Sequence, residues 1–347
     1  MKYLSVALRN LNRQKKRTLL LGGAIAFGML IVTLVNGLAG SFSHNINENF
    51  SRLLAGHLFV DGVEKTESGR SVSIIRDDKI LIDTLRNATD IDVEYLTKRS
   101  SFQGNMIFEG QTAMQQISGV DWEEERYLTE RIVLKDGSFE GMFEGRRGII
   151  INEKIAEQLS VRVGDEIVVQ LRSATGQQNV GEFRVAAISV AAGMFGSMTA
   201  YASLDYVNEL LNLQSHEYQT LGIFLPELSR MDSAAQEYYR ALDERVELFE
   251  RNAQDAEAEA SPFSAMMEQA EEQEWSGTRY RVYSLNDILS DVQQLVAALN
   301  GAGFGILLVL FLIIMVGITN TFRMIMHERT KEIGTMRALG MQRIAVR

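Results

Sequence analysis

Two long stretches without a charge constrain this chain more than anything else in it. From Thr18 to Asn47 there is no Asp, Glu, Lys or Arg across 30 residues, and from Val292 to Phe322 there is none across 31. Their apolar hearts are Thr18–Gly40 and Gly303–Ile318. A helix rises about 1.5 Å per residue, so roughly 20 apolar residues cross a hydrocarbon core of about 30 Å. Each stretch is long enough to be a transmembrane helix. The competing reading, a buried helix of a soluble protein, fits poorly because such helices rarely stay uncharged for so long. Gly37-Leu38-Ala39 offers a cleavage site for a signal peptide. Against cleavage, the apolar run exceeds the roughly 7–15 residues typical of such peptides, and 17 residues precede it.

The remaining charges are segregated. The whole chain of 347 residues has net charge −10 and is 46% hydrophobic, which are averages of a soluble acidic protein. Residues 1–17 carry six basic residues and no acid, and residues 323–347 carry six against Glu328 and Glu332. Of the 35 basic and 45 acidic residues, 12 and 2 lie in these ends, which leaves 23 and 43 elsewhere. Lys and Arg near membrane segments mark the cytoplasmic side. Both visible ends are therefore expected inside and the acidic middle outside. The expected division is a basic cytoplasmic terminus at 1–17, a transmembrane helix at 18–40, an extracytoplasmic domain with stalk helices at 41–291, a stalk end and second transmembrane helix at 292–322, and a cytoplasmic segment at 323–347.

The middle segment is long enough for its own core. Its flanks read as amphipathic stalks, with Phe42, Ile46, Phe50, Leu53 and Leu54 after the first span. Before the second come Leu285, Ile288, Leu289, Val292, Leu295, Val296 and Leu299, behind an Asn286-Asp287 start. Strands are expected at His57–Asp61, Val72–Ile75, Ser101–Phe108, Gln115–Val120, Gly148–Ile151, Glu166–Leu171 and Glu182–Val190. Helices are expected at Asp77–Arg86, Glu153–Ser160 (capped by Asn152) and Leu204–Leu213, with Asp136-Gly137 a turn. Residues 231–275 are rich in Ala, Glu and Gln; their first part reads as a solvated amphipathic helix, broken by Pro262. The mixture implies an α+β domain.

Several chemistries are excluded. No G-x-x-x-x-G-K-[ST] phosphate loop exists, so ATP hydrolysis is not expected of this chain. There are no cysteines, hence no disulfide, thiol nucleophile or cysteine-ligated zinc. His44, His57, His216 and His327 are scattered, and no metal site or other cofactor is expected. The acidic total argues against a nucleic-acid partner. Runs such as Glu123-Glu124-Glu125 read as solvated faces. Gly301 to Gly305, and Ala24 with Gly28, read as small residues allowing close helix packing. Neither span has an ionisable group at its heart, which points away from an ion relay. In Glu328–Arg347, Ile333, Met336, Leu339 and Ile344 form an apolar stripe beside Arg329, Lys331, Arg337 and Arg343. Such a helix can lie on anionic lipid or dock in a partner's groove.

Two segments carry a family resemblance. Asn320-Thr321 followed by Glu328-Arg329, Glu332-Ile333-Gly334 and Arg337-Ala338-Leu339-Gly340 resembles the FtsX/MacB-type ABC transporter permeases. Gly148–Val169, with Asn152, Ala156, Leu159, Val163, Gly164 and Asp165, is similar to their MacB-like periplasmic core domain. Ser118–Asp121 and Tyr201–Leu204 are weaker echoes. The resemblance implies a multi-pass inner-membrane protein with α-helical transmembrane segments, amphipathic helical stalks and a large α+β extracytoplasmic domain. It implies a non-enzymatic permease subunit of the lipoprotein-releasing LolC/LolE kind, driven by a separate ABC ATPase subunit through mechanotransmission. Glu328, Arg329, Lys331, Glu332, Ile333, Gly334, Arg337, Ala338, Leu339 and Gly340 would couple to that ATPase, and the Asn152–Asp165 set would be structural. Other implied partners are a second permease copy or paralogue, membrane lipid, and a lipoprotein or periplasmic protein. The cargo would be a lipoprotein or another amphiphile. An FtsX-like regulator of a cell-wall hydrolase is the alternative, followed by a bitopic sensor. The family has two further spans after this segment, so the chain, ending at Arg347, is expected to be a fragment, with a truncated gene as the alternative.

Overall fold

The computed structural model describes residues 22–23, 26–34, 37, 51, 54–66, 69–190, 199–251, 266, 268 and 273–339. Outside them lie the basic residues 1–17, the stalk positions Phe42, Ile46, Phe50 and Leu53, Pro262, and Gly340 to Arg347. The chain forms two compact units: Asn45–Asp291, and Met1–His44 with Val292–Arg347.

The first unit is built on eleven strands: β1 (Leu58–Lys65), β2 (Ser71–Ser73), β3 (Tyr95–Phe108), β4 (Gln111–Val120), β5 (Leu134–Gly137), β6 (Gly148–Asn152), β7 (Glu166–Arg172), β8 (Gln178–Ser189), β9 (Thr199–Ser203), β10 (Thr220–Phe224) and β11 (Thr278–Ser284). Its helices are α1 (Lys79–Asn87), α2 (Tyr127–Arg131), α3 (Glu140–Glu144), α4 (Glu153–Leu159), α5 (Leu204–Leu211) and α6 (Met231–Asp243). The strand order is β11-β1-β10-β3-β4-β9-β6-β8-β5, with β2 on β1 and β7 joined to both β3 and β8.

β3 organises the sheet because it is long enough to serve two halves. Its first residues, Tyr95–Arg99, pair with β10, and Ser100–Phe108 pair with β4. Since β7 pairs with β3 and with β8, strands β3, β4, β9, β6, β8 and β7 close into a ring. Closure satisfies strand edges that would otherwise be open. Period-two alternation fills the interior: in β7, Ile167, Val169 and Leu171 are buried while their neighbours face water. Met106, Ile117, Ile149, Phe183 and Val185 join them, together with Leu159 of α4 and Val207 of α5. Gly119 lets α5 sit directly on β4, since a Cβ there would lie 2.9 Å from Leu204 Cα.

Most elements fall where the residue pattern puts them, with three corrections. Asp136-Gly137 closes strand β5 rather than forming a free turn, although Gly137 keeps a left-handed φ of 83°. The helix from Met231 ends at Asp243, well before Pro262, because the chain turns to lay Leu248 against Tyr280 of β11. Its amphipathic character holds: Met231, Ala234, Ala235, Tyr238 and Leu242 are buried on one face. The Glu123–Glu125 run is not a solvated face throughout, because Glu125 is 1% exposed and ion-paired with buried Arg99.

In the second unit, residues 26–34 are helical. The long helix α7 (Leu285–Ala338) has 54 residues. Its apolar stretch Asn300–Met324 is long enough to cross a membrane and only 6% buried within the protein, which separates it from a core helix. It is the one such helix among the described residues. Gly28 does permit close packing, since a Cβ there would overlap the Leu310 side chain. Gly301 and Gly305 meet no neighbour within 4 Å among the described residues.

Candidate functional site: the root and far end of the long helix

The root of α7 is fixed by a reciprocal cap. Asp287 N–H donates to Ser284 Oγ at 3.2 Å, and Ser284 N–H donates to Asp287 Oδ2 at 2.7 Å. This capping box satisfies two main-chain donors at the helix start and is worth about 1 kcal/mol. The residue pattern suggested an Asn286-Asp287 start. The cap lies at Ser284, the last residue of β11, so strand passes into helix with no loop between them. Arg251 donates to the same Asp287 oxygen at 2.7 Å. Ser284 Oγ and Asn286 Nδ2 donate to the two oxygens of Asp232, in the first turn of α6, at 2.8 and 2.9 Å. Leu285 and Leu289 are buried beneath this polar collar.

The chain enters the sheet beside this root. Ala55 has a left-handed φ of 64°, and Gly56 N–H donates back to Ser51 C=O at 2.8 Å, the bond that closes a helix end. Thr97 Oγ1 donates to Ala55 C=O. The next peptide is held from three sides. His57 N–H donates to Ile223 C=O at 2.9 Å, His57 C=O accepts from Leu285 N–H at 2.9 Å, and His57 Nδ1 accepts from Leu225 N–H at 2.9 Å. Leu58 then stands opposite both Ser284 and Ile223. The two places where chain enters and leaves the sheet are thus hydrogen-bonded to each other.

The Asn152–Asp165 set builds a rigid corner. Asn152 Oδ1 accepts from Ile155 N–H at 3.1 Å and caps α4. Ala156 and Leu159 are buried, and Val163 packs against the same core. Gly164 has φ 96°, which a side chain would strain, and its N–H donates to Val185 C=O at 2.8 Å. Asp165 Oδ2 accepts from Arg162 N–H at 2.7 Å, and its carbonyl accepts from Val185 N–H at 2.9 Å. These residues aim β7 back into the ring.

At the other end, α7 carries Glu328, Arg329, Lys331, Glu332, Ile333, Gly334, Arg337 and Ala338, and Leu339 follows in a turn. Gly340 lies outside the described residues. Gly334, Met336, Ala338 and Leu339 are exposed, Leu339 by 85%. Nine of the ten positions, Glu328 to Leu339, follow one another along the end of α7 and the turn after it.

Sequence reasoning missed a buried polar centre. Arg99 of β3 pairs with Glu125, which also accepts from Tyr127 O–H at 3.0 Å. Burial pushes the Glu125 carboxyl up from its ordinary value, and the Arg99 charge only partly offsets this. No local pattern marks the pair, because 26 residues separate its members. Elsewhere, burial raises the Glu64 carboxyl, but hydrogen bonds from Arg76 and Thr278 outweigh it and hold that group below its usual range.

Two family models match. Residues 18–241 match the MacB-like periplasmic core domain, and residues 304–347 match the FtsX-like permease C-terminal domain. Among solved structures, the extracellular domain of the noncanonic ABC-type transporter YknZ from Gram-positive bacteria is 12% identical. It covers 54% of this chain and 93% of its own, with TM-score 0.33. The periplasmic region of MacB from Actinobacillus actinomycetemcomitans is 10% identical, covers 68% and 92%, and has TM-score 0.32. No curated protein sequence matches the chain. With one model spanning more than half the chain and a second covering its carboxy-terminal end, the chain belongs to the FtsX/MacB-type family of ABC transporter permeases.

Proposed function

We propose that this chain is the membrane subunit through which a separate ABC ATPase moves an extracytoplasmic domain. The observation that carries the reading is the unbroken helix α7. It starts at the cap box in the sheet domain, includes the apolar stretch Asn300–Met324, and ends on Glu328–Ala338. In this reading residues 1–17 and 323–347 are cytoplasmic, 18–40 and 292–322 hold the two spans, and 41–291 lies on the periplasmic side of the inner membrane. The residues Glu328 to Gly340 dock on the ATPase, and Asn152 to Asp165 serve the domain's structure. Nucleotide-driven movement at the docking face tilts or draws α7, and the clamped root passes the displacement to the sheet, a rigid-body change coupled across the bilayer. The unit works with a second copy or a paralogue, in contact with lipid. Its cargo is a lipoprotein or another amphiphile of the outer leaflet.

The test is reconstitution in nanodiscs with the cognate ATPase. The chain alone should hydrolyse no ATP, and the complex should. Joint replacement of Glu328 and Arg329 by Ala should abolish co-purification of the ATPase while the chain stays folded. A complex that forms undiminished would sink the docking assignment. Capture of a cell-wall hydrolase, with no release of lipoprotein from the membrane, would select the regulatory alternative.

A further inference from the structure

The pairing of β3 has a gap among the described residues. On the side facing away from β4, β3 pairs with β10 as far as Arg99 and with β7 from Asn105 onward. Among the described residues no strand pairs with Phe102–Gly104 on that side. The orientation of the open groups follows from strand geometry. Ser101 turns its N–H away from β4, to Gln219 Oε1 at 2.8 Å. The pairing with β4 runs without a register shift from Ser100 to Phe108. With a period of two, Gln103 N–H and C=O point the same way as Ser101 N–H, into the gap.

A cleft of about 590 Å³ lies over this gap. Its lining contains no Asp or Glu, in a chain that has 45 of them. Gln103, Asn105, Gln170 and Gln178 present neutral amides, each with both donor and acceptor. Met114 and Val180, exposed by 68% and 55%, line it as well. The single charge is Arg172, which makes no ion pair among the described residues.

We propose that this cleft binds an extended polypeptide segment, added as a strand against Gln103 of β3. An added strand needs an open main-chain edge, side-chain contacts at alternate positions and a charge pattern that does not oppose it. The gap supplies the edge, Met114 and Val180 supply apolar contacts, and the amides hydrogen-bond to polar side chains or flanking peptide groups. Arg172 selects a segment that carries a carboxylate near one end. The absence of acid keeps such a segment from being repelled by a domain that is acidic elsewhere. No exposed aromatic side chain lines the cleft, so the sugar-stacking platform of a glycan site is missing from it. This assignment is independent of the coupling mechanism proposed above.

The experiment uses the full chain in nanodiscs and a set of short labelled peptides. They are built from Ser, Thr, Gln and Val, with one Asp placed at either end or in the middle. Saturable binding is expected for a terminal-Asp member, with slowed hydrogen exchange at the Gln103 amide. N-methylation of the peptide amide that meets Gln103 C=O should weaken binding by about tenfold or more, because that methyl removes the bond to β3. Arg172→Glu, and separately Gln170→Glu with Gln178→Glu, should weaken it comparably; all three side chains are exposed, so the fold is retained. Equal binding of the N-methylated peptide overturns the proposal. So does the absence of saturable binding across the set, or binding of a neutral oligosaccharide in the same cleft with exchange at Gln103 unchanged.

Discussion

At the scale of single residues, the Arg99–Glu125 pair is the most consequential contact outside the helix root. Both side chains are almost wholly withdrawn from water, at 6% and 1% exposure. Removing one partner leaves a buried charge without compensation, whereas removing both leaves only a packing problem. Glu125→Ala should therefore cost about 3–5 kcal/mol in urea unfolding. The joint change Arg99→Met with Glu125→Leu should cost markedly less. Equal losses from the single and joint variants would show that the pair is not energetically coupled. The pH dependence has a definite sign. Glu125 is raised in the folded chain, so between its unfolded and folded values the native state holds the extra proton. Its contribution to stability therefore falls as pH rises through that window. Glu64 is lowered, so its contribution is present above the ordinary carboxylate range and is lost as pH falls through the folded value.

At the scale of elements, α7 is decisive. A helix of 54 residues is roughly 80 Å long at about 1.5 Å per residue. Transmission along it requires that no turn be free to bend. A Gly-Gly-Gly insertion after Ser290 should leave the ATPase bound but silence an ATP-dependent signal from a fluorophore at Ser138→Cys. A signal of undiminished size would mean that movement reaches the sheet by another route.

Legibility from sequence follows the same elements. Strands β6 and β7 and helices α4 and α5 were readable because Asn152 caps, Gly164 turns and apolar periodicity agree locally. Strands β9, β10 and β11 were not assigned. Thr199–Ser203 and Thr220–Phe224 are five residues each, and Thr278–Ser284 alternates weakly, so nothing short-range distinguishes them. β3 was read six residues short, because Tyr95–Ser100 is mostly polar and its residues Tyr95–Arg99 are held in the sheet by β10, which is distant in sequence. The far end of α7, Glu328–Ala338, was visible as a motif. The cap at Ser284 was not, because Asn286-Asp287 looked like the stronger start and the true acceptor stands at the end of a strand. The buried Glu125 and the gap on β3 are products of tertiary pairing and leave no mark on local sequence.

At the scale of the molecule, the segregation of charge becomes a statement about sides. The sheet domain and the last turns of α7 should face opposite aqueous phases. The native chain has no cysteine, so single substitutions report cleanly. In whole spheroplasts, Ser138→Cys should react with a membrane-impermeant maleimide, and Met336→Cys should react only after the membrane is opened. Reaction of both in intact spheroplasts would reverse the topology.

One further consequence rests on the pairing of Phe249 with Trp275. Their rings meet edge to face at 5.0 Å, Trp275 Nε1 donates to Val63 C=O at 3.3 Å, and Arg251 is tied to Asp287. The place where the chain rejoins β11 is therefore set by these contacts and not by the number of residues between the two aromatics, because the cost of closing a loop grows only slowly with its length.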